Sequence, residues 1–256
     1  MKIRSSTLFL FLLCSISLLG QVKTELTRIL RANNFIQFEH YTDSLLKCED
    51  RIDFQMVINR DLAPGFKELI FRFYARDSSS NKKTYWVTLL ASKTQIAYYE
   101  INELNMIEQK DKRKRNLTSL IEHKDKILYS KFIDSFKRIF GVKPKESELF
   151  REQGIELGGC GYAGKVSKNQ KRFNRWIRHK KKNKVLRYLK SPNSERQVSA
   201  IRGLYMMQKM GKNLRLSQKE LQMINYVKNK SGTIFFCSGC TFGREEIKES
   251  TKSYKF

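Results

Sequence analysis

The spacing of apolar positions changes along the chain, from helical to alternating and back to helical. Over residues 22–33 (VKTELTRILRAN), Leu26, Ile29 and Leu30 recur at the spacing of one helix face, which predicts a short amphipathic helix. Residues 35–41 are expected to form a first strand. Alternation follows: Ile52, Phe54, Met56 and Ile58 interleave with Asp53, Gln55 and Asn59, so a strand here gathers its apolar set on one face. Pro64-Gly65 marks a turn. Residues 68–76 (ELIFRFYAR) alternate again, with Leu69, Phe71, Phe73 and Ala75 opposed to Arg72 and Arg76. After a polar loop at 77–83, residues 84–91 (TYWVTLLA) and 95–102 (QIAYYEIN) complete the series. Short connections favour antiparallel pairing. The fold class is therefore α+β, an antiparallel meander of four or more strands with a helical cover.

The cover is expected from the segments that follow. Residues 103–128 mix charge with Leu104, Ile107, Leu117, Leu120 and Ile121, and read as helical with a break near Asn116. Residues 129–140 offer Ser130 as N-cap, an apolar stripe of Phe132, Ile133, Phe136, Ile139 and Phe140, and Gly141 at the expected stop, with Pro144 beyond. Five glycines within residues 154–164 suggest a loop and a boundary. From Lys184 the pattern is helical again, with Val185, Leu186 and Leu189 before the Ser191-Pro192 break. Residues 195–210 carry Val198, Ile201, Leu204, Tyr205 and Met207, and Gly211 ends them. Ser217 with Glu220 three residues later matches a capping box, opening a helix with Leu221, Ile224 and Val227. Residues 233–236 form a brief strand that runs into Cys237 and Cys240, and a helix is expected from Arg244.

The expected organisation is a signal peptide at 1–20, an α+β domain at 21–150, a Gly-rich loop and basic segment at 151–183, and a helical hairpin with a C-terminal CxxC at 184–256. The hairpin, two helices joined by a Gly-containing turn with small Ala200 and Gly203 at the approach, resembles a single HEAT-like repeat over residues 184–230. One such repeat cannot bury its own apolar face, and stacking needs about three. The resemblance thus implies packing on the rest of the chain rather than a solenoid.

The N-terminus changes the chemistry to consider. Lys2 and Arg4 precede an apolar run at 8–19 and the small Gly20, the order of an export signal. The run is shorter than the roughly 20 residues a spanning helix needs. The end before Gln21 resembles bacterial export signals, which implies a periplasmic or extracellular protein. Bulky Leu13 before Cys14 argues against a lipoprotein cut. No second run of membrane length follows, so no transmembrane segment is expected once the signal is removed. Loss of Lys2 and Arg4 lowers the formal charge from +26 to +24. So large an excess attracts anions: an anionic polymer, lipid headgroups or an acidic protein, with no specific nucleic acid expected.

The excess concentrates at residues 165–190, which hold twelve Lys or Arg and no Asp or Glu. Lys171, Arg172, Arg175, Arg178, Lys180, Lys181 and Lys182 are the candidate anion-binding residues, with Phe173, Trp176 and Tyr188 among them. Arg172, Arg175 and Arg178 would form one stripe on a helix, either tracking a phosphate-bearing polymer or lying on a membrane with Trp176 and Ile177 dipping in. The plainer alternative is a solvated linker whose aromatics pack locally.

Loss of Cys14 with the signal leaves Cys48, Cys160, Cys237 and Cys240, an even number in an oxidising compartment and therefore disulfide candidates. All three connectivities remain open. Cys237 and Cys240 alternatively form a redox pair, as in a thiol–disulfide oxidoreductase, with the following helix lowering the Cys237 pKa. Four thiolates would also suit a structural zinc. His40, His123 and His179 are too scattered to make a ligand motif. GGCGYAG matches neither dinucleotide nor P-loop spacing. No catalytic set and no cofactor motif appear. The leading expectation is an exported basic protein acting as a binding module, and an enzyme is the less expected class.

Overall fold

The computed structural model describes residues 24–47, 54–76, 82–109, 112–150, 155–160, 166–211, 214–239 and 241–256. The proposed signal and Cys48 therefore lie outside the described residues, as does Cys240. The fold is α+β and contains a five-stranded antiparallel meander. Its strands are β1 (Phe54–Ala63), β2 (Phe66–Arg76), β3 (Lys82–Ala91), β4 (Ile96–Gln109) and β5 (Lys112–Lys124), paired in that order.

Among the described residues two helices precede the meander, α1 (residues 24–31) and α2 (Phe35–Lys47). Leu26, Ile29 and Leu30 of α1 are buried, as their spacing predicts. The expected strand at 35–41 is instead the first half of α2. Phe35, Phe38 and Leu45 recur at helical spacing on its buried face, and the Asn34 side chain accepts from the Gln37 amide at 3.0 Å, as an N-cap does. Phe38 packs on Phe71 of β2, with ring centroids 5.5 Å apart. Leu69, Phe71 and Phe73 join the same core, so the alternation read in β2 is the alternation observed.

The segment expected to be helical at 103–128 is mostly strand. β4 continues to Gln109, and β5 pairs back along it from Gln109↔Lys112 to Tyr98↔Lys124. The basic run Lys112–Arg115 would crowd like charges within one helical turn. The hairpin register instead sets Arg113 opposite Glu108. The next helix, α3 (Lys126–Phe140), starts earlier than expected. Its cap is Asp125, whose Oδ1 accepts from the Ile127 and Leu128 amides at 3.0 and 2.9 Å, and Ser130 lies inside the helix. Phe132, Phe136 and Phe140 form its buried stripe, and Gly141 ends it with φ +70°.

The Gly-rich segment expected to be a loop includes a strand, β6 (Ile155–Cys160). The basic run beyond it includes a helix, α4 (Lys168–Arg178), followed by α5 (Lys182–Leu189). The expected hairpin is present as α6 (Ser194–Lys209) and α7 (Gln218–Lys228), the latter opened by the Ser217/Glu220 capping box. β7 (Thr233–Gly239) lies between β6, which is parallel to it, and β8 (Thr241–Glu246), which is antiparallel. The helix expected from Arg244 is therefore a strand there. Helix begins only at α8 (Ile247–Thr251).

The described residues divide into two compact units. One holds the described residues up to 57 and those of 69–128, the other those of 58–68 and 129–256. Residues 58–68, the turn end of the β1–β2 hairpin, thus count with the C-terminal unit.

Candidate functional site

Among the candidate residues, the basic set is the one the fold gathers onto adjoining elements. Ser167 caps α4 by accepting from the Gln170 amide, and the helix buries Phe173 and Ile177 while exposing Lys171, Arg172, Arg175 and Arg178. Two apolar positions four residues apart give one inward stripe, and the remaining surface is cationic. Lys180, with φ +56°, turns the chain out of the helix, and Lys180 and Lys181 are exposed on the link to α5. The segment is therefore a packed helix rather than a solvated linker.

Gly203 of α6 makes that packing possible. A Cβ there would stand 3.0 Å from Phe173 Cζ and 3.3 Å from Ile177 Cδ1. Gly203→Val is expected to displace both side chains and to destabilise the protein by roughly 1–3 kcal/mol, the usual cost of overpacking. Equilibrium urea unfolding followed by tryptophan emission checks it; an unchanged midpoint would show that α4 does not rest on α6 as described.

The aromatic residues of the run form an internal stack. Phe173 and Tyr188 lie face to face with centroids 5.1 Å apart, and Trp176 meets Tyr188 edge-on at 5.6 Å. Arg172 and Lys184 lie over the Trp176 ring at 5.6 and 5.8 Å, and Arg196 over Tyr188 at 5.2 Å. These are cation–π distances.

The basic residues are not equivalent. Lys182 donates at 2.7 Å to Glu220 Oε2 and at 2.6 Å to the Arg215 carbonyl, so it ties α5 to the start of α7 rather than facing a ligand. Among the described residues, no ion pair engages Lys171, Arg172, Arg175, Lys180 or Lys181. Ile177 is buried, so it cannot dip into a bilayer as the membrane reading required.

The cysteines fall differently. Cys237 is buried in β7. Cys160 stands on the neighbouring strand, its backbone paired with Gly239. Ser238 pairs with Thr241, so the residues after the CxxC return as strand β8. The helix N-terminus invoked to activate Cys237 is absent. Among the described residues no group of three or more His, Cys, Asp or Glu is placed to hold a metal ion. His40 and His179 are exposed, and His123 stacks on Tyr99 at 5.3 Å.

A second cluster went unread in the sequence. Arg60 of β1 is buried and donates from Nε to Glu68 Oε2 and from Nη1 to Glu195 Oε1, each at 2.8 Å. Glu68 Oε1 also accepts from the Phe150 amide at 2.6 Å, and Glu195 Oε1 from the Phe235 amide at 3.3 Å. Lys230, which follows α7, is equally buried and donates to Ser194 Oγ at 3.1 Å and Gln197 Oε1 at 2.9 Å. Burial alone would lower the Arg60 pKa, but Glu195 and Glu68 outweigh it and hold the guanidinium charged. Burial pushes the Glu195 carboxyl above its ordinary value, against the pull of Arg60. Burial, helped by Arg60, brings the Lys230 ammonium down to about 7. Gly232 lets the chain pass over Arg60: its φ is +105°, and a Cβ there would lie 2.3 Å from Arg60 Cβ.

Arg60 had a sequence signal. It continues the even-numbered series Met56, Ile58 on the apolar face of β1, where a charge is out of place. Glu195 and Lys230 had none, because an acid at a helix start and a cation after a helix end are ordinary dipole partners.

Fold and surface together define a basic α+β protein with a cationic helical face and a buried ionic clasp. No family model, no curated protein and no solved structure matches the chain. Among the described residues no helix is long and apolar enough to cross a membrane.

Proposed function

We propose that this chain is an exported binding protein that engages an anionic partner through the α4–α5 face. The observation that carries the reading is the exposure of Lys171, Arg172, Arg175, Lys180 and Lys181 on one helix and its following link, with no ion pair to any described carboxylate. Cations with no acidic partner among the described residues, on a helix fixed by its buried stripe, form a ready-made electrostatic footprint. The apolar residues of α4 are spent on the interior, so charge is what the face offers. The N-terminal pattern at 1–20 supports a periplasmic or extracellular setting. The cysteines support disulfide bonding there.

The test is a quadruple neutralisation, Lys171, Arg175, Lys180 and Lys181→Gln, which touches none of the internal contacts of the face. Its affinity for heparin at 50 mM salt is expected to fall more than tenfold. The slope of log K against log salt should flatten by up to about 0.7–0.9 per cation removed, if each contacts one anionic group. Affinity unchanged by the four substitutions would sink the reading.

A further inference from the structure

We infer that the partner of the α4–α5 face is an acidic polysaccharide, a linear polymer gripped through its anionic groups alone with no ring stacked on the protein. The inference rests on the anion-binding reading above and narrows it.

The rings of this face are already engaged. Trp176 is half-buried, with the Arg172 guanidinium and the Lys184 ammonium over it at 5.6 and 5.8 Å. Tyr188 is stacked by Phe173 at 5.1 Å and carries Arg196 at 5.2 Å. Proteins that bind single-stranded nucleic acid keep open aromatic platforms, on which each base contributes on the order of tenfold in affinity. Here a base reaching Trp176 would have to displace a cation from the ring, losing a charge contact to gain a stacking one. The rings act instead as supports. Trp176 holds two cations at fixed height, which lowers the side-chain entropy lost when an anion binds.

A membrane surface fits less well. Helices that lie in an interface bury an apolar face among the acyl chains, whereas Phe173 and Ile177, the apolar face of α4, are 5% and 3% exposed. What remains outward is a row of cations along a helix of eleven residues. At 1.5 Å per residue the row from Lys171 to Arg178 extends for about 10 Å, a span suited to several charges of one extended chain.

The test compares binding of the intact chain to heparin, to a single-stranded oligothymidylate, and to an abasic oligonucleotide of the same length and charge, each across a salt series. The two oligonucleotides are expected to bind within twofold of each other, and heparin at least as tightly as either. Trp176→Leu should weaken all three by the same severalfold factor, and Trp176→Phe, which keeps a ring beneath the cations, should restore most of the loss. A base-bearing strand at least tenfold tighter than the abasic one, or a Trp176→Leu loss confined to it, would overturn the inference while leaving anion binding intact. Tighter binding to phosphatidylglycerol vesicles than to heparin at equal charge would also overturn it. Failure of all polyanions to bind at 50 mM salt would overturn the underlying reading instead.

Discussion

Arg60→Ala is expected to remove about 3–5 kcal/mol of stability, the cost of stripping one partner from a buried ionic group. Arg60 is shared by two carboxylates from distant parts of the chain, Glu68 on β2 and Glu195 at the start of α6. Both are almost wholly buried, at 1% and 2% exposure, so neither finds water when the guanidinium leaves. The amides of Phe150 and Phe235 still donate to them, but a single hydrogen bond does not replace a cation. One carboxyl must then take up a proton or draw in solvent, and either outcome loosens the attachment of residues 58–68 to α6 and β7. Arg60→Lys is expected to recover little, because one ammonium cannot present the fork that reaches both acids. Adding Glu68→Gln and Glu195→Gln to Arg60→Met should recover part of the loss, since the uncompensated charges are then gone. Urea unfolding monitored by tryptophan emission measures the series. A midpoint for Arg60→Ala within experimental error of wild type would show that the clasp is not the anchor described.

The clasp also marks where the sequence could and could not be read. Period-two alternation located β1 to β4 because each strand has a face in contact with buried side chains, and the stripes of α1, α3, α6 and α7 follow from the same logic. The β4–β5 arm was misread because its outer part carries charge at most positions. Without an apolar face the local pattern has no period, and the strand state is fixed by the partner strand rather than by the residues themselves. α2 was misread for the opposite reason: FIQFEHY is short and aromatic, so Phe35 and Phe38 are compatible with either state until Asn34 caps the helix. On the functional surface the cations were legible as composition, yet their division was not. That Lys182 is consumed by Glu220, and that Trp176 carries Arg172 and Lys184, depends on how α4, α5 and α7 fold together. Long-range partners such as Glu195 for Arg60, separated by 135 residues, leave no local trace at all.

Lys230 gives the second large effect, and its sign is opposite to that of an ordinary salt bridge. The groups around it are Arg60 and Asp61 on β1, Glu68 on β2 and Glu195 on α6, while its own hydrogen bonds go to the neutral Ser194 and Gln197. Two acceptors match the two N–H groups of a neutral amine; an ammonium brings a third. Burial and Arg60 bring the pKa from 10.5 to about 7, against the pull of Glu68, Asp61 and Glu195. Between those two values the unfolded chain binds more protons than the folded one, so stability rises with pH across the window. Linkage over a shift of that size lowers the unfolding equilibrium constant about fifty-fold from pH 7 to pH 9, or about 2 kcal/mol. Glu195, pushed upward by burial, contributes with the opposite sign: its stabilisation is present at low pH and is lost as pH rises through its folded value. Lys230→Met leaves Arg60, Glu68 and Glu195 in place, so the difference between wild type and variant isolates the lysine. That difference is expected to grow with pH from 7 to 9 in favour of the wild type. Parallel stability curves over this range would mean that Lys230 stays charged in the folded protein, as a fourth member of a neutral ionic quartet with Arg60, Glu68 and Glu195.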